Sequence, residues 1–182
     1  MLNFPISLRS SSWNIYLVEL AVQLIIKGGA WQKMILMRYL KYWVPVFFWM
    51  IFIFWMSTGT FSSQNTVLIV EPILRFLNPS ISSEMIDMIH KVLRKLGHVT
   101  EYFVFGFLLF CAFRGSLKEW RIPRWLFSSF IVLVIYAASD ELHQSFVSTR
   151  TPSPYDVGID ALGGLIALSL GAMLHLSRQH RQ

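Results

Sequence analysis

Charged residues are scarce in this chain, at 14% of its 182 residues, whereas a soluble domain carries about 25%. Cysteine occurs once, as Cys111 within an apolar run. An internal disulfide is therefore excluded, and we expect this thiol to act as a small buried hydrophobic side chain. The apolar runs also lack the alternation that marks the strands of a membrane barrel. These absences argue against a soluble domain, a disulfide scaffold and a β-barrel.

Hydrophobic residues, at 54% of the chain, are grouped in four blocks that approach the roughly 20 residues needed to span a bilayer. The blocks are Tyr42–Ser57, Val99–Phe113, Trp125–Ser139 and Val157–Leu176. In lipid, only helices and closed barrels satisfy their own backbone hydrogen bonds. The sequence therefore predicts an all-α membrane bundle of four transmembrane helices.

The parts outside these blocks suggest three domain segments. Residues 1–36 are expected to form an N-terminal extension, either a peripheral helix or the product of a start assigned too early, since Met34 and Met37 are alternative starts. Residues 37–178 are predicted to form the transmembrane domain. Residues 179–182 are expected to be a cytoplasmic tail.

The stretch between the first two blocks divides into two parts. Thr58–Pro79 shows little pattern and is predicted to be a loop. Ser80–Lys95 has apolar residues at helical spacing and charged residues on the other side, with Ser80 or Ser82 as its cap. This second part is predicted to be an amphipathic interfacial helix that leads into the second span.

The net charge of +6 does not indicate nucleic-acid binding, because the basic residues lie at the ends of the apolar blocks. They are Arg38, Lys41, Arg114, Lys118, Arg121, Arg124, Arg178 and Arg181. Lysine and arginine at the ends of spans mark the cytoplasmic side, so both termini and the loop Arg114–Arg124 are predicted to be cytoplasmic. The segments 58–95 and 140–156 then face outward, although three basic residues in 91–95 run against the rule.

Polar side chains recur at spacings of three or four residues near three of the predicted outer helix ends. They are His98 and Glu101, then Asp140, Glu141 and Gln144, and finally Asp156 and Asp160. Residues so spaced share one helix face, and the predicted topology places all three sets at the same outer level. An ionisable group at bilayer depth costs about 2.5–3.5 kcal/mol on insertion scales. The sequence therefore predicts one polar site built from three helices.

The fourth block contains Asp160, the polar residue that is hardest to explain structurally, and it follows Asp156, which has a structural explanation. Ser153 followed by Pro154 is typical of a helix N-terminus, which would account for Asp156 as a capping residue. Asp160 has no such account, since an unpaired carboxylate one turn into a span must take up a proton or find a partner. Its face continues as small residues that predict close helix packing; these are Gly163, Gly164, Ala167 and Gly171.

Two motifs carry a family resemblance: Lys95-x-x-His98-x-x-Glu101-Tyr102 and Asp140-Glu141-x-x-Gln144-x-Phe146. Together with Arg150, Asp156 and a fourth helix rich in small residues, they resemble the VanZ-like family of bacterial membrane proteins. The resemblance covers about Met37 to Leu176. Asp160 stands where the family commonly has asparagine, and Ser148-Thr149 stands where it has Pro-Gly before the arginine.

The resemblance implies a multi-pass protein of the bacterial inner membrane that acts in the cell envelope. The founding member of that family gives low-level resistance to the glycopeptide teicoplanin. Spacing and resemblance together give the candidate ligand-binding residues Lys95, His98, Glu101, Asp140, Glu141, Gln144, Arg150, Asp156 and Asp160. Candidates for a catalytic role are His98, Glu101, Asp140, Glu141 and Asp160.

Three functions are compatible with these residues. In the first, the basic segment His90–Lys95 and Arg150 bind a phosphate or pyrophosphate head group. In the second, a membrane enzyme acts on a lipid-linked phosphate substrate, with carboxylates as acid or base and His98 as proton shuttle or nucleophile. In the third, the polar groups only specify helix packing: Glu101 pairs with Arg150, and His143 faces interfacial water.

The sequence favours the first function over the third, because more polar groups converge than packing needs. It favours the first over the second, because it contains no nucleophile elbow, phosphate-binding glycine loop or paired metal motif. The expected partners are membrane lipids, among them an anionic envelope lipid or precursor, and no nucleic acid; the oligomeric state stays open. Carboxylates with a histidine suit a divalent cation, but their spacing matches no established metal signature. We therefore expect no metal ion and no cofactor.

Overall fold

The computed structural model describes residues 10–58, 63–117, 121–148, 150 and 152–181. These residues form five helices and no strand, which confirms the all-α prediction. In chain order the helices are α1 (Ser10–Met56), α2 (Ser63–Leu77), α3 (Ser83–Ser116), α4 (Ile122–Ser145) and α5 (Pro154–Gln179). Each predicted apolar block lies in a different one of these helices, with Ser57 just beyond the end of α1.

Four helical segments are long and apolar enough to cross a membrane, as the sequence predicts. They are Gly28–Met56, Ser83–Ser116, Ile122–Ser145 and Pro154–Gln179. The chain divides into two compact units, Met1–Leu40 and Lys41–Gln182. The first unit is helical from Ser10 onward, and the predicted domain boundary after residue 36 stays a prediction. All the polar residues considered below belong to the second unit.

The prediction of a loop over Thr58–Pro79 is wrong, because residues 63–77 of this stretch form α2. Val67, Val70 and Leu74 are spaced by three and four residues and are half-buried, so they form the face of α2 that packs inward, and α2 packs against α3. Glu71 and Arg75, one turn apart, pair at 2.8 Å on its surface. The spacing was present in the sequence, but a helix of 15 residues is too short to be recognised as a span.

The amphipathic segment predicted over Ser80–Lys95 is not a separate interfacial helix, since it continues without a break into the second span as α3. Ser82 caps α3, and its Oγ accepts a hydrogen bond from the backbone N–H of Met85 at 3.3 Å, which confirms one of the two predicted caps. The 34 residues of α3 extend about 51 Å at about 1.5 Å per residue. This exceeds the roughly 30 Å hydrocarbon thickness, so one end of α3 reaches beyond it.

The second half of α1 is tied to the other helices through aromatic side chains. Trp49 donates its indole N–H to the backbone carbonyl of Glu101 at 2.9 Å. Tyr136 of α4 donates its hydroxyl to the carbonyl of Met50 at 2.6 Å. Both bonds satisfy polar atoms that would otherwise lie unpaired in an apolar interior. They fix the C-terminal end of α1 beside the middle of α3.

Small residues bring α3 and α5 into backbone contact, as the small-residue stripe predicts. A Cβ added at Gly106 would lie 2.8 Å from the carbonyl oxygen of Gly164. One added at Gly163 would lie 2.6 Å from the carbonyl oxygen of Val99. Because backbone atoms line these contacts, no side-chain rotation can make room for a methyl group.

This contact makes a testable prediction with a control on the same helix. Gly163→Ala should lower the free energy of unfolding by about 1–3 kcal/mol, since overpacking forces the two helices apart. Gly158→Ala meets no atom within 4 Å and should leave stability unchanged or raise it, because alanine favours helix. Thermal unfolding of both purified variants in detergent compares them. Equal melting temperatures would contradict the close α3–α5 approach.

Candidate functional site

The predicted polar residues meet at one end of the helices of the second unit. The last turns of α4 and the first turns of α5 lie at this end, beside α3 and the C-terminal end of α1. Most of these polar side chains are buried, namely His98, Asp140, Glu141, Gln144, Asp156 and Asp160. Glu101 is partly buried beside them.

Two polar pairs join α3 to α5, one helical turn apart. Nδ1 of His98 lies 3.1 Å from Oδ1 of Asp160, and Nη2 of Arg94 donates to Oδ2 of Asp156, also at 3.1 Å. The partners are 62 residues apart in both pairs. Moving one turn along α3 therefore moves one turn along α5 in the same direction, so the two helices run parallel. The pairs fix the register of this contact.

The His98–Asp160 pair is the more deeply buried one, with side chains 9% and 1% exposed. The imidazole can donate Nδ1–H to the carboxylate whether or not the ring carries a second proton, and the carboxylate then fixes the ring orientation. The second carboxylate oxygen of Asp160, Oδ2, is buried and has no hydrogen-bond partner in the described part of the chain. His98 is thus the partner that a carboxylate at the position of Asp160 needs.

A second group of polar atoms links α4 to the end of α1. The amide nitrogen of Gln144 donates to Oδ2 of Asp140 at 3.1 Å and to Oγ of Ser57 at 3.3 Å. Within the described ranges, the other oxygens of Asp140 and Gln144 are buried without a partner. Leaving a buried acceptor unpaired costs about 1–3 kcal/mol. This end of the helices therefore contains more buried hydrogen-bond acceptors than there are donors of the described residues to pair with them.

The start of α5 is as predicted, with Ser153 as N-cap and Pro154 as the first helical residue. The carboxylate of Asp156 pairs with Arg94 and is therefore engaged across the α3–α5 interface. The backbone N–H of Ser153 donates to the carboxylate of Glu141. Glu141 thereby anchors the segment that enters α5.

Arg150 binds the end of α1. Its Nη2 donates to the backbone carbonyls of Met56 and of Thr58, the latter at 3.1 Å. The last carbonyls of a helix lack intrahelical partners, so this guanidinium satisfies them. The Glu101–Arg150 ion pair of the structural alternative does not form, since no salt bridge joins these two described residues.

The guanidinium of Arg150 lies between helices and keeps its charge. Burial lowers its pKa, and so does the nearby Arg94, whereas the carboxylates of Glu101, Asp140 and Glu141 raise it. An arginine stays protonated in proteins despite such shifts. Arg150 therefore contributes a permanent positive charge to this end of the helices.

These groups surround a cavity of about 180 Å³. Its polar lining consists of Ser57, His90, Arg94, His98, Glu101, Gln144 and Arg150. Its apolar lining consists of Met56, Val70 and Leu93, and Gly97 completes it. Asp140, Asp156 and Asp160 lie behind this lining, each in contact with a residue that forms it. The cavity thus places two arginines in front of three aspartates.

Four of the residues predicted to bind ligand line the cavity: His98, Glu101, Gln144 and Arg150. Lys95 does not. It is exposed, because it follows Arg94 and so points about 100° away around the helix. His90 and Arg94 also line the cavity. They are absent from the list of candidate ligand-binding residues, but they belong to the basic segment His90–Lys95 that the first function assigns to a phosphate. Their spacing of four residues from each other and from His98 places all three on one face of α3.

Two further residues bear on the structural alternatives. The ring of His143 stacks on Phe54 with centroids 4.4 Å apart, is partly exposed and does not line the cavity, and its contact with interfacial water stays a prediction. No group of three or more histidine, cysteine, aspartate or glutamate side chains among the described residues is arranged to hold a metal ion. The expectation of no metal stays a prediction.

The buried pair predicts a large loss of stability when one partner is removed. Asp160→Ala should lower the free energy of unfolding by about 3–5 kcal/mol, because it leaves His98 buried without its partner. Asp160→Asn should lower it less, since the amide can still form a hydrogen bond. Asp87→Ala is the control, because this carboxylate on α3 is exposed. A loss for Asp160→Ala no larger than for Asp87→Ala would refute the pairing.

One of the comparisons with known proteins gives a match. No curated protein and no solved structure matches the chain. The family model described as VanZ/LLP1 matches residues 42–175, a range that contains the helix contacts described above and every residue that lines the cavity. Because this match covers well over half of the 182 residues, the chain belongs to the VanZ/LLP1 family.

Proposed function

We propose that this protein binds a phosphate- or pyrophosphate-bearing component of the cell envelope in the cavity at the end of the helices. The observation that carries the proposal is the distribution of charge around that cavity. Arg94 and Arg150 line it, and Glu101 is the only carboxylate among the described residues that does so. An anion that enters therefore meets two guanidinium groups before it meets the buried aspartates.

The two arginines are suited to hold a phosphate. A guanidinium presents five donors in a planar fork that matches phosphate oxygens. Arg150 uses Nη2 on two backbone carbonyls, and its buried Nε has no partner within the described ranges. Arg94 is held in position by Asp156. Both charges are thus fixed in place before a ligand arrives, which lowers the entropic cost of binding.

The proposal places the cavity at the outer face of the bacterial inner membrane. Arg121 and Arg124 lie at the start of α4, the end opposite to the cavity, and basic residues mark the cytoplasmic end of a span. With four spans, both termini would then be cytoplasmic. At the outer face the cavity would meet envelope precursors and their carriers.

Low-level resistance to a glycopeptide is the physiological role that we propose on the strength of the family. Pockets for drug-sized ligands usually measure about 300–1,000 Å³, and this cavity of about 180 Å³ is smaller. The protein would therefore not enclose the antibiotic. Resistance would follow from binding an envelope component that the antibiotic's action depends on.

A membrane enzyme acting on a lipid-linked phosphate is a second candidate, favoured by the His98–Asp160 pair in the cavity wall. A carboxylate that holds Nδ1 leaves Nε2 as the base that can accept a proton from water. Binding alone does not distinguish the two candidates. Release of inorganic phosphate from farnesyl pyrophosphate by the purified protein, lost in His98→Asn, would establish the enzyme.

The binding proposal predicts that two arginines matter and a neighbouring lysine does not. Arg150→Gln and Arg94→Gln should each weaken the binding of inorganic pyrophosphate by about tenfold or more, since a hydrogen bond to a charged group contributes about 1.5–3 kcal/mol. Lys95→Gln should change it less than about twofold, because this exposed residue lies outside the cavity lining. Calorimetric titration of detergent-purified protein measures all three.

The same variants test the physiological role. Teicoplanin susceptibility of a strain that carries the wild-type gene should be lower than that of a strain with Arg150→Gln, at equal protein levels, while Lys95→Gln behaves as wild type. Equal binding by all three variants would contradict the cavity as the binding site. If wild-type protein binds pyrophosphate but the wild-type and Arg150→Gln strains are equally susceptible to teicoplanin, the proposed role in resistance is contradicted and the proposed binding function still stands.

A further inference from the structure

Helix α2 presents an apolar face away from the rest of the protein. Its large side chains on that face are exposed by half or more of their area, and Phe76 is 85% exposed. The set consists of Leu68, Ile69, Ile73, Phe76 and Leu77. Soluble proteins rarely expose so large a contiguous apolar surface. In a protein with four spans, this face is covered by lipid.

Helix α2 is too short to cross a membrane. Its 15 residues extend about 22 Å at about 1.5 Å per residue, less than the roughly 30 Å of hydrocarbon. The neighbouring part of α3 also exposes apolar side chains, among them Met88, Val92 and Leu96. The lipid-facing surface of α2 therefore continues onto α3, the helix against which α2 packs.

The opposite face of α2 forms part of the cavity wall. Val70 lines the cavity together with Leu93 of α3 and Met56 at the end of α1. The cavity is thus polar where the arginines lie and apolar where α2 and α3 meet. A free inorganic anion gains nothing from such an apolar wall, whereas a hydrocarbon chain gains about 0.8 kcal/mol for each buried CH₂ group.

The size of the cavity indicates where such a chain would lie. A volume of about 180 Å³ is below the roughly 300–1,000 Å³ of pockets that enclose a drug-sized ligand. This is enough for a small head group and too little for a long hydrocarbon chain as well. The chain of an amphiphilic ligand must therefore leave the cavity, and the apolar wall adjoins the lipid-facing surface of α2 and α3.

We propose that the ligand is a lipid phosphate or pyrophosphate whose head group occupies the polar cavity while its chain passes between α2 and α3, beside Val70 and Leu93, into the bilayer. This inference rests on the proposed function and names its ligand class. If the ligand enters sideways from the membrane, this explains why α2, an amphipathic helix too short to span the bilayer, forms part of the cavity wall. The charged wall provides head-group recognition, and the apolar wall selects a ligand that carries a chain.

The experiment compares two probes with the same head group, inorganic pyrophosphate and farnesyl pyrophosphate, which carries a prenyl chain. Wild-type protein in detergent should bind farnesyl pyrophosphate at least about tenfold more tightly, because part of the chain is buried against Val70 and Leu93. Val70→Trp fills the proposed passage from α2, and Leu93→Trp fills it from α3. Each should remove that preference, which is measured as the ratio of the two affinities within the same variant.

Ile73→Trp is the matched control, since it adds the same bulk to the exposed face of α2 and should keep the preference. Thermal unfolding shows which variants fold, and the two passage variants on different helices provide independent tests. Equal affinity of wild type for both probes would overturn the lipid inference and leave the proposed function standing. Loss of the preference in Ile73→Trp as well would overturn the passage. Binding of neither probe would overturn the proposed function itself.

Discussion

The close approach of α3 and α5 is the constraint on which the rest of the polar end depends. Gly106 and Gly163 let the two backbones touch, and at this separation even the short side chain of an aspartate reaches the neighbouring helix. His98 and Asp160 can then form a buried pair. With a larger residue at either glycine, the helices would separate and the carboxylate of Asp160 would stay unpaired in an apolar interior, which is costly.

Because α3 and α5 run parallel, two polar pairs join them, one helical turn apart. His98 and Asp160 form the inner pair, and Arg94 and Asp156 form the outer one, a turn nearer to the helix end. The inner pair is almost fully buried, whereas the outer one is partly exposed. Arg94 and His98 both line the cavity. The Arg94–Asp156 pair is the one that is cheaper to break, so a ligand could compete with Asp156 for Arg94, whereas the costlier His98–Asp160 pair maintains the helix contact.

Hydropathy and spacing together predict the helical class, the four spans and the meeting of polar residues from three helices. These features follow from the spacing of residues along a single helix, such as the four-residue spacing of Asp156 and Asp160. What could not be predicted depends on how helices are rotated against each other. The rotation of α3 places Arg94 at the cavity and Lys95 at the surface, and one step of about 100° separates them. A sequence with adjacent basic residues does not reveal which one faces inward.

Helix α2 escaped prediction for a different reason. Its exposed face is apolar, and its partly buried face carries the charged Glu71 beside Val70. Its hydrophobic pattern therefore resembles neither a span nor a surface helix of a soluble domain. Only its packing against α3 shows which face of α2 is exposed and which packs inward. The same packing gives the cavity an apolar side.

The placement of charges favours a ligand over a purely structural bundle. A bundle that needed its polar groups only for packing would pair them with each other and bury no donor or acceptor in excess. Here Asp140, Gln144 and Asp160 each retain a buried oxygen without a partner in the described ranges, and Arg150 retains its Nε. These atoms lie in or directly behind the wall of one cavity, and leaving each of them unpaired costs stability. Proteins commonly accept that cost where a site must bind or react. A phosphate oxygen can accept a hydrogen bond from Nε of Arg150, whereas the three unpaired oxygens require a donor group or a proton. The surplus of polar atoms at this end therefore supports a site that binds or reacts.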